Sequence, residues 1–202
     1  MIKQIEAYEP YNEQEERDKE IILSMLTEAE RMGEDIFSRE NRMAHMTASA
    51  WVVNRDRTKV LLAYHNIYNS WAWLGGHADG ERNLLSVAVR EVCEESGLTP
   101  AHVRPAWLIS QKGDLSQGSA GDIFSLEVLA VDGHFKKGEY ISSHLHLNVT
   151  YLLEADEEEK LYKKEDENSS VKWFLPEEAL AASSEPWFAE HIYRKLNEKA
   201  GL

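Results

Sequence analysis

The sequence predicts an α/β (α+β) protein, because stretches with helical periodicity and stretches with strand-like alternation both recur along its 202 residues. Residues 12–32 place apolar side chains at helical spacing, whereas residues 142–154 alternate apolar and polar side chains. With 43% hydrophobic residues, the chain is long enough to bury one sizeable core. We therefore expect a single domain with an appendage.

The appendage is a predicted helical arm over residues 1–44, followed by a domain over residues 45–202. Asn12 and Glu15 resemble a capping box at the start of a helix. Five apolar residues then recur on one face of that helix: Ile21, Ile22, Met25, Leu26 and Ala29. This face predicts docking of the arm on its own core or on a second subunit, which makes a homodimer possible.

Alternating or apolar runs predict the strands of the domain. Residues 45–54 and 59–64 flank the polar turn RDRT and predict a hairpin. Further strands are predicted at residues 104–111, 122–132 and 142–154. The segment VKWFLPEEAL then indicates a strand that turns into a helix at Pro176, and the segment PWFAEHIYRKLNEKAGL indicates a final amphipathic helix.

Polar side chains share one face of the strand at 142–154. The residues on this face are His144, His146, Asn148 and Thr150. A polar face of this kind either lines a substrate cleft or lies in solvent, and the sequence favours the two alternatives equally.

The stretch GGHADGERNLLSVAVREVCEESGL, residues 75–98, predicts a helix that follows a glycine turn. Asn83 is suited to capping its first turn, and Gly97 to the left-handed conformation that ends a helix. An apolar stripe predicts burial of one side of this helix against the core: Leu85, Ala88, Val89 and Val92.

The same helix carries three glutamates on one side, because side chains three and four positions apart lie on the same face. These are Glu91, Glu94 and Glu95, and Arg90 is spaced to reach Glu94. Carboxylate oxygens at this density suit Mg²⁺, Mn²⁺ or Ca²⁺ better than Zn²⁺. The glycines at 75 and 76 let the backbone approach a ligand and offer a carbonyl oxygen. A solvated acidic helix face is the alternative explanation.

Residues 75–98 resemble the conserved box of the Nudix hydrolase superfamily. The matching positions are Gly76, Arg90, Glu91, Val92, Glu94, Glu95, Gly97 and Leu98. One position differs, because Arg82 stands where the pattern has its first glutamate. The resemblance implies an α/β/α sandwich around a mixed sheet, covering about residues 45 to 200.

The activity implied by the resemblance is cleavage of a diphosphate linkage with Mg²⁺ or Mn²⁺. We expect the metal ligands to be Glu91, Glu94, Glu95 and the Gly75 carbonyl oxygen, with Arg90 orienting the carboxylates. One carboxylate of the triad also serves as general base in this hypothesis. Because the superfamily draws its base from different places, Glu139 and Glu167 are further candidates.

Two other classes remain open. The segments AHMTASAWVVN and GGHADGE also look like isopentenyl diphosphate isomerase, in which His45 and His77 match two histidine metal ligands. Gly75 stands at the position of that enzyme's catalytic cysteine, which favours hydrolysis. Arg82 gives some weight to a sensor that binds nucleotides without turning them over. In a hydrolase, the histidines at 45, 77, 144 and 146 are candidates for substrate binding, each with a purely structural role as the alternative.

Composition favours a cytoplasmic enzyme, and the resemblance implies that it acts on a small anionic diphosphate, with a nucleoside diphosphate derivative as the default. The net charge of −14 argues against nucleic acid as a partner. No apolar run approaches the ~20 residues that span a bilayer, and the N-terminus is too acidic for a signal peptide. The single cysteine, Cys93, cannot form an internal disulfide and is expected to be a packing residue.

Overall fold

The computed structural model describes residues 1–66, 69–106, 121–136, 138–163 and 168–202. The helical elements are α1 (Ile2–Ala7), α2 (Glu13–Met32), α3 (Leu84–Ser96), α4 (Pro176–Ala182), α5 (Pro186–Phe188), a π-helical segment (Ala189–Tyr193) and α6 (Arg194–Ala200). The strands are β1 (Ala44–Asn54), β2 (Val60–His65), β3 (Ser70–Ala72), β4 (Leu74–His77), β5 (Val103–Pro105), β6 (Ser125–Val131), β7 (His134–Lys136), β8 (Glu139–Ile141), β9 (His144–Ala155) and β10 (Asn168–Phe174).

An eight-stranded sheet joins most of these strands in the order β10-β2-β1-β9-β5, with β3 paired to β2, β4 to β1 and β6 to β9. The predicted hairpin is confirmed: β1 and β2 are antiparallel, with Val52 opposite Leu61. Strands β6 and β9 are also antiparallel, with Glu127 opposite Asn148. A separate two-stranded sheet consists of β7 and β8. Residues 107–111 of the predicted strand 104–111 lie outside the described residues.

The chain divides into two compact units. The first contains Met1–Ala48, Gly76–Val87 and Ile123–Thr150; the second contains Ser49–Gly75, Ala88–Asp122 and Tyr151–Leu202. Strands β1, β4 and β9 and helix α3 contribute residues to both units.

In the first unit, the arm packs on its own chain. Helix α2 contacts β6, and its buried residues include Ile22 and Leu26. Polar contacts accompany this packing, since the Asp18 carboxylate accepts a hydrogen bond from the Val128 backbone N–H at 3.0 Å. The predicted apolar face of the arm therefore packs within the chain through Ile22, Leu26 and Ala29, whereas Ile21, predicted on the same face, is exposed.

In the second unit, aromatic rings form part of the core. Trp51 is fully buried, and its ring stacks on that of Tyr193 with 5.3 Å between centroids. Trp51 is thus a core residue rather than a surface for stacking a nucleotide base. Among the described residues, no helix is both long and apolar enough to cross a membrane.

Candidate functional site

Helix α3 begins and ends where its local signals predict. The Asn83 side chain accepts a hydrogen bond from the Ser86 backbone N–H at 3.3 Å, and Gly97 adopts a left-handed φ of +73°. The buried face differs in part from the prediction. Leu84, Val87, Ala88 and Val92 are buried, whereas Leu85 and Val89 are only half-buried. The helix is therefore rotated slightly from the predicted stripe, which brings Glu95 inward.

The three glutamates of α3 differ in exposure. The side chain of Glu91 is 13% exposed and that of Glu94 is 44% exposed, whereas Glu95 is only 3% exposed as a residue. The Arg90 guanidinium contacts Glu91 more closely than the expected Glu94, with nitrogen–oxygen distances of 2.8 and 3.7 Å. Arg90 therefore bridges two carboxylates on the same side of the helix.

Glu95 links the helix to β10 and to β4, since Gly75 and Gly76 lie within strand β4 rather than in the predicted glycine turn. The Gly75 backbone N–H donates a hydrogen bond to the Glu95 carboxylate at 3.0 Å. The buried Asn168 side-chain amide donates to the Glu95 backbone carbonyl at 3.1 Å. Both contacts lie in the second unit. The first of them holds Gly75 next to the Glu95 carboxylate, and we expect these two residues to share a cation.

The donor atoms of these residues are of the type that a hard divalent cation prefers, but among the described residues only a group of three histidines, and not these carboxylates, has ligand atoms within 4.8 Å of one another. Three carboxylates lie on one face of one helix, one of them is buried, and Gly75 adjoins that buried carboxylate through its N–H. Oxygen donors of this kind suit Mg²⁺ and Mn²⁺. A buried carboxylate is costly without compensating charge or hydrogen bonds, and the Gly75 N–H supplies one such bond to Glu95.

A second group of titratable residues lies in the first unit, where β1, β4 and β9 bring the four predicted histidines together. The ring of His45 lies 5.1 Å from that of His77, 4.9 Å from that of His144 and 5.0 Å from that of His146, measured between centroids. The Nε2 atoms of His144 and His146 are 3.2 Å apart. We call these four residues the histidine cluster.

Burial keeps two members of the histidine cluster neutral. Burial, followed by repulsion from the neighbouring imidazoles, lowers the pKa of His146 to about 2. Burial also lowers the pKa of His45, although the hydrogen bond to the Asn41 carbonyl opposes this shift. Neutral imidazole is the form that binds metal ions.

The polar face of β9 is buried rather than solvated along half of its length. Asn148 is 1% exposed and Thr150 is fully buried. Both donate hydrogen bonds to the Glu127 carboxylate of β6, at 3.0 and 2.8 Å. The Ser125 hydroxyl contacts the carboxylates of both Glu127 and Glu15. A buried polar network therefore connects the arm to β6 and β9.

Sequence reasoning missed the roles of Glu15 and Glu127. The sequence predicts a capping box formed by Asn12 and Glu15. The first half of this box is present, because the Asn12 side chain accepts a hydrogen bond from the Glu15 backbone N–H at 3.0 Å. The Glu15 carboxylate instead turns inward and accepts a hydrogen bond from the Tyr11 backbone N–H at 2.8 Å. The sequence does contain a sign of the role of Glu127, because its carboxylate stands between apolar residues in SLEVLAV. A charged side chain within a buried strand needs hydrogen-bond partners on neighbouring elements.

Arg82, which departs from the box pattern, has a structural role in the first unit. Its guanidinium pairs with Asp35 at 2.9 Å and lies 4.3 Å from the centre of the Phe37 ring. Nearby, the Gly80 N–H donates to the Phe37 carbonyl at 2.9 Å, and Arg39 pairs with Asp79. Arg82, which stands where the box pattern has a glutamate, thus helps to hold the turn after β4 against the end of the arm.

The remaining candidates are placed as follows. Glu139 is exposed at the start of β8. Glu167 lies outside the described residues. Cys93 is partly buried within α3, and burial, followed by the neighbouring Glu94 charge, raises the pKa of its thiol. A raised thiol pKa fits the predicted packing role better than that of a nucleophile.

Comparisons with known proteins agree with the box. The family model described as the NUDIX domain matches residues 43–196. A search of the curated proteins finds no match. Among solved structures, an Ap4A hydrolase from C. elegans, in a binary complex, is 17% identical with a TM-score of 0.50, covering 76% of this chain and 93% of that one. A NUDIX-family hydrolase from Clostridium perfringens is 21% identical with a TM-score of 0.50 and coverages of 80% and 97%.

A third solved structure, the MutT protein from Methanosarcina mazei Go1, is 14% identical with a TM-score of 0.50, covering 78% of this chain and 96% of that one. At these identities the likeness shows the fold. The predicted α/β (α+β) class with a mixed sheet is confirmed.

Proposed function

Because the chain belongs to the Nudix family, we propose that it is a metal-dependent hydrolase that cleaves the diphosphate linkage of a small organic diphosphate. A nucleoside diphosphate derivative is the default substrate, and the proposed compartment is the cytoplasm. The observation that supports this proposal most is the arrangement of Glu91, Glu94 and Glu95 on one face of α3, with Glu95 tied to Gly75.

Each residue of the proposed site has a distinct task. Glu91, Glu94, Glu95 and the Gly75 carbonyl oxygen would hold Mg²⁺ or Mn²⁺, which supplies charge neutralisation and a polarised water molecule when bound. Arg90 positions the Glu91 carboxylate by the contact at 2.8 Å. The hydrogen bond from Gly75 to Glu95 holds strand β4 beside helix α3.

A general base must take a proton from the attacking water. Among the three carboxylates, Glu94 is the best suited, because 44% of its side chain is exposed and Arg90 lies 3.7 Å from it rather than in close contact. Glu139, which is exposed on β8, and Glu167 remain the other candidates for this task.

An activity panel tests the proposal. The protein is incubated with Mg²⁺ or Mn²⁺ and nucleoside diphosphate sugars, nucleoside triphosphates, dinucleoside polyphosphates or isopentenyl diphosphate. A hydrolase releases phosphate-containing products, an isomerase gives the allylic isomer, and a sensor shows only a thermal shift. The proximity of the His45 and His77 rings is the one observation that favours the isomerase.

Matched variants locate the activity. Glu94→Gln is expected to lower kcat by about 10²–10³-fold, because it removes the proposed general base and one of the proposed metal ligands. The control is Glu177→Gln, which changes an exposed glutamate on α4 and should leave kcat unchanged. Undiminished metal-dependent cleavage after Glu91, Glu94 and Glu95 are each changed to Gln would show that the site is misassigned.

A further inference from the structure

Three members of the histidine cluster offer ligand atoms that all lie within 4.8 Å of one another: His45, His144 and His146. We propose that these three side chains bind a transition-metal ion of the Zn²⁺ class, at a site made of different residues from the carboxylates of α3. All three lie in the first unit, on strands β1 and β9.

The hydrogen bonds of two rings set their tautomers. The Nδ1 atom of His45 lies 3.0 Å from the Asn41 carbonyl oxygen, and Nδ1 of His144 lies 2.8 Å from the Ser142 carbonyl oxygen. A carbonyl only accepts, so each Nδ1 carries the proton and each Nε2 keeps its lone pair. Metal-binding histidines commonly show this arrangement, in which a backbone carbonyl orients the ring and fixes the free nitrogen.

The observation that most strongly indicates a bound ion is the environment of the His45 Nε2 atom. His45 is 4% exposed, and its Nε2 is buried with no hydrogen-bond partner among the described residues. A buried polar atom without a partner costs roughly 1–3 kcal/mol. Since Nδ1 already donates to Asn41, Nε2 needs a donor or a metal ion, and the rings of His144 and His146 lie 4.9 and 5.0 Å from that of His45, measured between centroids.

The spacing of two of the nitrogens fits a tetrahedral ion. The Nε2 atoms of His144 and His146 are 3.2 Å apart. Two nitrogens bound to the same Zn²⁺ at tetrahedral angles lie about 3.3 Å apart. A direct N–H···N hydrogen bond between the two rings has a similar length and is the competing explanation, but that bond leaves His45 Nε2 without a partner.

The chemistry of the donors selects the class of ion. Imidazole nitrogens suit Zn²⁺, Co²⁺, Ni²⁺ or Cu²⁺, whereas Mg²⁺ and Mn²⁺ prefer oxygen. A three-histidine set leaves a fourth position for water or a ligand. The ring of His77 borders the site, with its centroid 5.0 Å from that of His146.

Direct metal binding tests the proposal. The protein is expressed without a histidine tag, stripped with a chelator and dialysed against Zn²⁺ or Co²⁺. We expect one Zn²⁺ per chain by elemental analysis, and visible absorption bands typical of tetrahedral Co²⁺. His45→Gln and His146→Gln are each expected to weaken Zn²⁺ binding at least about tenfold. His191→Gln, at an exposed position of the π-helical segment, is the control and should bind as the parent does.

The test separates this site from the proposed hydrolase site. Glu94→Gln should retain full Zn²⁺ stoichiometry even if cleavage is lost. A thermal unfolding curve without metal confirms that each variant is folded. Absence of tetrahedral Co²⁺ bands, or Zn²⁺ binding that is unchanged in folded His45→Gln and His146→Gln, would overturn the proposal and leave a hydrogen-bonded imidazole cluster.

Discussion

Replacing Gly97 with alanine tests how the helix that carries the acidic triad is ended. Gly97 has a φ of +73°, and a Cβ atom built there would lie 2.7 Å from the Tyr162 Cβ and 3.1 Å from the Tyr162 backbone nitrogen. That nitrogen donates to the Ser96 carbonyl at 2.7 Å, so the segment cannot retreat without losing a hydrogen bond. The left-handed conformation costs a non-glycine residue roughly 1–2 kcal/mol. Overpacking adds about 1–3 kcal/mol.

Gly33 provides a matched control at the end of α2. It has a φ of +70°, but a Cβ atom there would meet nothing within 4 Å. Gly33→Ala should therefore cost only the conformational part, about 1–2 kcal/mol, whereas Gly97→Ala should cost about 2–5 kcal/mol. Urea unfolding followed by far-UV circular dichroism measures both. Equal losses in the two variants would refute the reasoning, because the crowding by Tyr162 would then have no energetic effect.

Three further predictions concern packing and charge. Leu26→Ala, at a buried position of α2, should lower the free energy of unfolding by about 2–5 kcal/mol. Ile21→Ala, on the exposed side of the same helix, should lower it by less than about 0.5 kcal/mol. Similar losses in the two variants would show that the arm does not pack as described. Glu127→Ala removes the acceptor of three buried donors and should cost about 3 kcal/mol or more in urea unfolding; a loss below about 1 kcal/mol would contradict the network. The hydrogen bond from Lys59 lowers the pKa of Glu157 in the folded protein. The ionised Glu157 carboxylate therefore stabilises the fold above the ordinary carboxyl pKa of about 4.3, and this stabilisation is lost as the pH falls through the pKa of Glu157 in the folded protein. The urea midpoint of Glu157→Gln should thus lie below that of the parent at pH 7 and converge with it under acid conditions, and a gap that persists in acid would refute this.

Features set by neighbouring residues could be predicted from the sequence. Asn12 and Asn83 accept the hydrogen bonds expected of helix caps, and Gly97 has the expected left-handed φ. These signals depend on residues within one turn, so no tertiary information is needed. The box that led to the family depends in the same way on fixed spacing along one helix.

Features that depend on packing between distant segments could not be predicted. The sequence left open whether the polar face of β9 lies in solvent, because the answer depends on α2 covering β6 and delivering Glu15 to Ser125. The histidine cluster draws His45 and His144 from strands about a hundred residues apart in the chain. Alternation within a single strand predicts which residues share a face, but it does not predict what covers that face.

Cation binding by the triad is tested most directly by titrating the protein with Mn²⁺ and following the free ion by electron paramagnetic resonance. The parent protein and the Glu177→Gln control should each remove Mn²⁺ from solution with the same affinity. A Glu91→Gln/Glu94→Gln double variant should bind Mn²⁺ at least about a hundredfold more weakly, because it loses two of the three proposed acidic ligands. Binding of equal strength in the parent and the double variant would contradict the account.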